Sequence, residues 1–398
     1  YLTMSSQNTS KSLIFFMMGM MLITGALNTI VMKSQSAQVA LGKEYNHSWF
    51  QTLFMFIGES LTLIAYFIYT KFYVKSDEGD TDDRKEVSPF ILIIPAMCDL
   101  VGSSLTFLAL LMMDGSVYQM IRGAIVFIIA LFSYLFLKRK FYRHHYTGLV
   151  IVFIGLFLVG LSSLLDTKKK DDNNNTLLGI IILLISLLFN GFQFISEEKI
   201  LEKYKAHPLK LVGWEGIWGF IGTIIAVTIM NFIKCGEGDD VSSLVKKACT
   251  LDESNIYYLE TPIFALKQIG DNVSLLLLVI GGIFSIALFN FFGISVTKYA
   301  SAASRAITDG TRTVLVWLFF LLVPTKFQET FKVLQFIGFI ITTFGALLYN
   351  EIIVLPFLDF NKYTREALKQ REQEDALLKP NDVVPAGVSI QKIKTDDA

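Results

Sequence analysis

SVYQMIRGAIVFIIALFSYLFLKRKFYRHHYTGLVIVFIGLFLVG, residues 116–160, decides how the rest of this chain is read. It opens with an apolar stretch carrying Tyr118, Gln119 and Arg122, passes through a basic turn, and continues as a second apolar stretch punctuated by glycine. Each stretch has about 20 residues, enough to cross ~30 Å of hydrocarbon as a helix. An arginine inside such a span is expensive, so its presence demands a partner or a function.

The surrounding composition agrees with a membrane setting. Of 398 residues, 53% are hydrophobic and 18% charged, and the mean hydropathy is +0.52. Soluble domains carry roughly 25% charge, so the chain reads as an all-α polytopic membrane protein whose first partner is the lipid bilayer. Its 34 Phe and 15 Tyr suit a lipid-facing surface with interfacial aromatics. Thirty-five basic and 35 acidic residues cancel, which leaves no compositional case for nucleic acid. His47, His144, His145 and His207 read as loop residues, and no HExxH, GxSxG, P-loop or paired-Cys spacing is present. The expectation is a protein that is not an enzyme, with no cofactor and no metal site. Cys98 reads as a small core residue within a span. Cys235 and Cys249 share one loop and would pair only if that loop faces an oxidising compartment.

Ten apolar runs are long enough to span, at 12–32, 49–70, 89–112, 116–137, 146–165, 177–196, 209–233, 273–296, 303–323 and 332–354. Residues 12–32 are too long an apolar run for a signal peptide and read as the first membrane helix. With the N-terminus cytoplasmic, the inner loops hold most of the basic residues, including Lys71, Arg84, Lys138, Arg139, Lys140 and Lys203. The sequons at Asn46, Asn174 and Asn272 then fall outside. The divisions are an N-terminal cytoplasmic segment 1–11, a first five-helix unit 12–165, a lumenal linker 166–176 holding Lys168–Lys170, a second five-helix unit 177–354 with a long lumenal loop at 234–272, and a polar cytoplasmic tail 355–398.

A shift of 190 residues places Arg122 on Arg312, Gly148 on Gly338 and Gly155 on Gly345. A shift of 191 places Asp99 on Asn290, Gly102 on Gly293 and Thr106 on Thr297. The halves resemble one another, and five spans per half force them into opposite orientations. Ten transmembrane helices as two inverted five-helix repeats is the plan of many secondary transporters.

The segments SVYQMIRGA, FLKRK, ISEEKI, HPLKLVGWEG, FNFFGISVTK and SRAITDGTRT, in this order from about residue 12 to 350, resemble the drug/metabolite transporter superfamily, which includes EamA-like proteins. Within it the chain is similar to the F-type branch of solute carrier family 35. The resemblance implies two inverted repeats around a central cavity and a transport role in lysosomal or other endomembranes, with mitochondrial membranes the alternative. It names a fold more firmly than a cargo. The acidic loop 77–86 and the Cys-bearing loop depart from the pattern.

Polar residues inside the spans are the candidates for solute contact. Tyr118, Gln119 and Arg122 lie at helical spacings of three and four, so one face of the fourth helix carries all three. Arg305, Asp309 and Arg312 share another at i, i+4 and i+7. If the repeats oppose each other, both stripes line the cavity. The rival readings are that Arg122 simply pairs with Asp309, or that the arginines snorkel to the headgroups. Arg305 begins its helix and reads as interfacial. Glu59 and Asp99, each alone in an apolar span, are candidates for proton coupling, with salt-bridging to an arginine the equal rival. Glu215 sits among Gly213, Gly216, Gly219 and Gly222, which read as packing positions. Asn28 and Asn290 suit either helix bridging or solute contact. Glu197 and Glu198, beside Lys199, read as a local charge cluster.

The expected activity is secondary transport, by alternating access, of a small anionic or zwitterionic solute, since guanidinium groups bind carboxylate or phosphate bidentately. The rival is a non-transporting scaffold acting through its tail and lumenal loop.

Overall fold

The computed structural model describes residues 11–72, 84–112, 118, 121–164, 173–237, 249–323, 331–355, 360–364, 367–368 and 370–371. Gln119, Lys168–Lys170 and most of the polar tail lie outside the described residues. Hydrocarbon offers backbone groups no water, so long apolar runs satisfy their own N–H and C=O groups as helices. The helices are α1 (Lys11–Ser36), α2 (Ser48–Phe72), α3 (Ile93–Met112), α4 (Ile125–Phe136), α5 (Arg143–Leu164), α6 (Asn173–Lys203), α7 (Pro208–Met230), α8 (Pro262–Asp271), α9 (Val273–Tyr299), α10 (Ala302–Leu322) and α11 (Val333–Tyr349). Among the described residues, α1, α2, α3 with its preceding turn, α5, α6, α7 and α9 are long and apolar enough to cross a membrane. The apolar α4 and α11 are shorter, at 12 and 17 residues. α10 has 21 residues and carries Arg305, Asp309 and Arg312.

The fourth span is not a single helix. Tyr118, Ile121 and Arg122 are helical, but Gly123 and Ala124 form a turn before α4 begins at Ile125. Ala124 N donates to Ile121 O at 2.9 Å and Phe127 N to Ala124 O at 3.0 Å, the short i→i−3 step of a tightened turn. Gly123 lies against the Leu156 side chain, where a Cβ would collide. Arg122 thus sits immediately before a break in the fourth span.

Local signals set several ends. Pro208 opens α7 with His207 as its cap, and the His207 side chain accepts from Leu209 N. Ser301 caps α10 by accepting from Ser304 N at 3.0 Å. Asn272 caps α9 by accepting from Leu275 N at 3.2 Å, which commits the side chain of that sequon to the helix. His144 and His145 fall in the first turn of α5 rather than in a loop.

The most extensive helix pairings are α5 with α11, α2 with α7, α3 with α6 and α1 with α9; α4 packs on α6 and α10, and α1 also on α10. At the α5–α11 crossing the main chains touch. A Cβ on Gly155 would lie 2.7 Å from the Gly338 carbonyl oxygen, and one on Gly338 would lie 2.8 Å from that of Gly155. Gly148 and Gly345 extend the seam against Tyr349 and Val152. Gly213, Gly216 and Gly219 of α7 do the same for α2, meeting Leu63, Ser60 and Phe56.

The described residues of the loop expected at 234–272 form a small folded cap. Strands β3 (Lys234–Glu237), β4 (Thr250–Leu251) and β5 (Ile256–Tyr258) form an antiparallel sheet in the order β3-β5-β4, and Cys235 is bonded to Cys249. A hairpin of β1 (Val39–Ala40) and β2 (Lys43–Glu44) stands beside it. Glu260 accepts from Trp49 N and Phe50 N, both at 3.1 Å, and so satisfies the free first turn of α2 from across the cap. His47, buried, meets Glu260 Oε1 at 2.6 Å and Gln268 Oε1 at 3.0 Å.

Candidate functional site

Two polar layers cross the helix bundle, both organised by α10. In the first, Asp309 is shared by two arginines. Arg122 Nη2 lies 3.3 Å from Asp309 Oδ2, and Arg312 Nε lies 3.2 Å from Asp309 Oδ1. Tyr118 interacts with Arg122, and the Arg312 guanidinium stands 5.0 Å from the Phe289 ring centre. The pairing of Arg122 with Asp309 anticipated as a rival reading is therefore present, and a second guanidinium joins it. Two positive charges face one negative charge, and Arg122 keeps 28% of its side chain accessible against 6% for Arg312. The fourth-span break carries Arg122 into this layer, and irregular backbone at membrane depth is tolerated where it lines protein or a cavity.

The second layer is rich in carboxylates. Arg305 is 2% exposed and forms an ion pair with Glu197, itself fully buried. Its guanidinium also lies 4.0 Å from the Phe194 ring centre. Arg305 is therefore not interfacial, because the start of α10 is itself covered by protein. Gln193 donates to Glu197 at 2.9 Å. Glu59, 2% exposed, accepts from Asn290 of α9. Asp99 accepts from Ser103 at 2.6 Å. Glu215 is buried, and its Oε1 has no hydrogen-bond partner among the described residues. Glu59, Asp99 and Glu197 all lie near enough to act electrostatically on Glu215, as does Arg305. Four carboxyl groups thus lie within electrostatic reach of one guanidinium.

Glu197 and Glu198 are not a local cluster. Neighbours one residue apart on a helix do not face each other, and these two diverge. Glu197 goes to Arg305, while Glu198 meets Arg139 of the α4–α5 turn at 2.5 Å. Arg139 also holds Glu202 at 2.9 Å. Both glutamates were missed as site residues, although Gln193 and Glu197 at i, i+4 mark one polar face in an otherwise apolar run. Asn28 links α1 to α9 by accepting from Ser285 at 3.1 Å, so Asn28 and Asn290 each bridge helices.

At the start of α7, Lys210 donates to Glu86 at 2.8 Å and holds its carboxyl below the usual range. Burial, with a smaller push from Lys298, lowers the His207 imidazole to about 4. The ring is therefore neutral and remains a cap acceptor.

A family model described as CRT-like, chloroquine-resistance transporter-like, matches residues 13–349. Solute carrier family 35 member F6 of Homo sapiens is 32% identical over 369 residues, which cover 91% of this chain and 95% of the relative. Its counterpart in Mus musculus is 31% identical over 370 residues, with the same coverage. An uncharacterised protein of Schizosaccharomyces pombe is 29% identical over 349 residues, 85% of this chain and 98% of its own. One solved crystal structure superposes with a TM-score of 0.53 at 12% identity, covering 86% of this chain and 98% of that one, a likeness of fold alone.

Proposed function

The chain belongs to the CRT-like family of membrane transporters, and from that premise we propose that it is a secondary transporter moving a small anionic or zwitterionic solute by alternating access. The observation that carries the solute class is the Arg122–Asp309–Arg312 arrangement, which among the described residues sets two guanidinium groups against one carboxylate beside a helix break. Guanidinium groups bind carboxylate and phosphate through paired N–H donors, and broken spans hold substrate in many transporters. Tyr118 and Gln119 belong to the same segment.

The architecture proposed for this role is ten spans in two inverted five-helix repeats. Exchanging span one for six, two for seven, three for eight, four for nine and five for ten turns the α1–α9 pairing into α6–α3. The same exchange leaves α2–α7, α4–α10 and α5–α11 as they are. That pattern of pairings supports a pseudo-two-fold axis, as does the placement of Arg122 and Arg312 on one carboxylate. Glu59 and Asp99, with Glu197 and Glu215 beside them, are the proposed proton-coupling groups, a reading supported by the gathering of these carboxyl groups about the single guanidinium of Arg305. The Cys235–Cys249 bond supports an oxidising lumen for the cap, and thus lysosomal or other endomembranes.

A thermal-shift screen of the purified protein against anionic metabolites, nucleotide sugars and amino acids tests the solute class. A stabilising ligand whose effect disappears in Arg122→Ala supports the reading. Unimpaired transport by a folded Arg312→Ala variant refutes the site. Deletion of residues after 360 separates transport from scaffolding: a transporter keeps its flux and a scaffold loses its effect.

A further inference from the structure

On the inner edge of the α5–α11 pair, a side-chain cluster stands outside both polar layers. His144 and His145 lie in the first turn of α5, and Glu351 follows the last turn of α11. One ring nitrogen from each histidine and one carboxylate oxygen lie within 4.8 Å of one another. His144 Nε2 is 3.2 Å from Glu351 Oε1, and the two imidazole centres are 4.0 Å apart. Tyr142 stacks along His144 and Tyr349 meets His145 edge-on, so aromatic walls orient both rings.

The backbone at Glu351 is unusual for its residue type. Ile352 N donates to Leu347 O at 2.9 Å and Glu351 N to Leu348 O at 3.2 Å, the paired bonds of a Schellman ending. That motif puts one residue in the left-handed region, and glycine is its ordinary occupant because a Cβ is disfavoured there. Here the occupant is Glu351, with φ of 58°. Strained positions of this kind concentrate at functional sites. The conformation brings its carboxylate to the two histidines.

We propose that His144, His145 and Glu351 form a binding site for a divalent first-row transition ion of the zinc class. Two imidazoles and one carboxylate are a ligand set zinc accepts, with a fourth position left for water. Ligand atoms ~2.0–2.2 Å from zinc stand roughly 3–4 Å apart, so the cluster closes on an ion by small side-chain movements. Loading also exchanges the 3.3 Å bond from Tyr142 N to His145 Nδ1 for a coordinate bond, since that nitrogen either takes the ion or carries the proton. A plain ion pair between His144 and Glu351 would need neither His145 nor the left-handed backbone. A bound ion would tie the start of α5 to the end of α11.

The test uses the full chain purified in detergent, stripped with EDTA and titrated with zinc chloride against a chromophoric chelator. Cobalt substitution supplies a ligand-field spectrum as a second readout. The expected result is one equivalent of zinc per chain, weakened at least about tenfold in His145→Asn and in Glu351→Gly. Glu351→Gly supplies the residue that the left-handed position favours, so it folds while losing a ligand; His207→Asn, away from the cluster, binds as the parent does. A parent protein that takes up no stoichiometric zinc, or affinity unchanged by either ligand substitution, overturns the site.

Discussion

Replacing Arg305 by Met removes the one guanidinium in the carboxylate layer without removing its bulk. The pair it makes with Glu197 is among the most buried in the protein, at 2% and 0% exposure. Breaking such a pair from one side typically destabilises by ~3–5 kcal/mol, because the remaining charge is left uncompensated. Glu197 keeps its bond from Gln193 at 2.9 Å, so the expected loss is near the lower bound, about 3 kcal/mol. In Glu197→Gln the guanidinium keeps Glu59, Asp99 and Glu215 within electrostatic reach, which holds that loss to about 2 kcal/mol. The double variant removes both members of the pair. It should lose about 2 kcal/mol rather than the ~5 kcal/mol of independent effects, a coupling of about 3 kcal/mol. Reversible unfolding in mixed micelles over a graded SDS fraction measures all four proteins. If the double variant falls within ~0.5 kcal/mol of the summed singles, Arg305 and Glu197 act independently and the account of this layer is wrong.

Three further outcomes are expected. Substituting Cys235 by Ser opens a loop with a sequence separation of 14 and should lower stability by ~3 kcal/mol, with a reductant-insensitive melt where the parent shifts with dithiothreitol; identical melts would show the bond to be irrelevant. Gly155→Val drives a side chain into the Gly338 carbonyl and the Thr342 main chain, neither of which can rotate away, and should destabilise by ~1–3 kcal/mol or more; an unchanged melting temperature refutes the close crossing. The folded pKa of His207 is depressed below its ordinary 6.5, so its stabilising share is complete above that pH. It drains away as pH falls toward about 4, where protonation removes the acceptor for Leu209 N; His207→Asn, which caps without titrating, should lack that acid-side loss, and parallel pH curves would argue against the cap.

Most spans were legible because an apolar run of bilayer length has one stable backbone solution. The fourth was misread as unbroken: Gly123 is one glycine among apolar residues, and the bend depends on Leu156, 33 positions away in sequence. Arg122, Asp309 and Arg312 were identifiable because charges in spans are conspicuous, and the half-to-half offset pointed to their meeting. Arg305 was misplaced because closeness to a helix start was equated with closeness to water. Glu197 and Glu198 were misassigned because Lys199 is their neighbour in sequence, whereas helix geometry sends each to a different partner. The His144–His145–Glu351 cluster joins residues 207 positions apart, and only the fold brings them together.

The glycine seam between α5 and α11 has a mechanical consequence. Where two main chains meet with no side chains between them, there are no rotamers to flex and little free volume to absorb shear. Sliding one helix along the other by even a fraction of a turn would force a Cβ of Thr342 or Val152 into the position a glycine now occupies. The pair therefore behaves as one stiff strut, and because α5 comes from the first half of the chain and α11 from the second, it rivets the halves together, as the glycines of α7 do against α2. Two struts thus tie the halves, and any relative motion of the helices has to be taken up between the struts rather than within either of them.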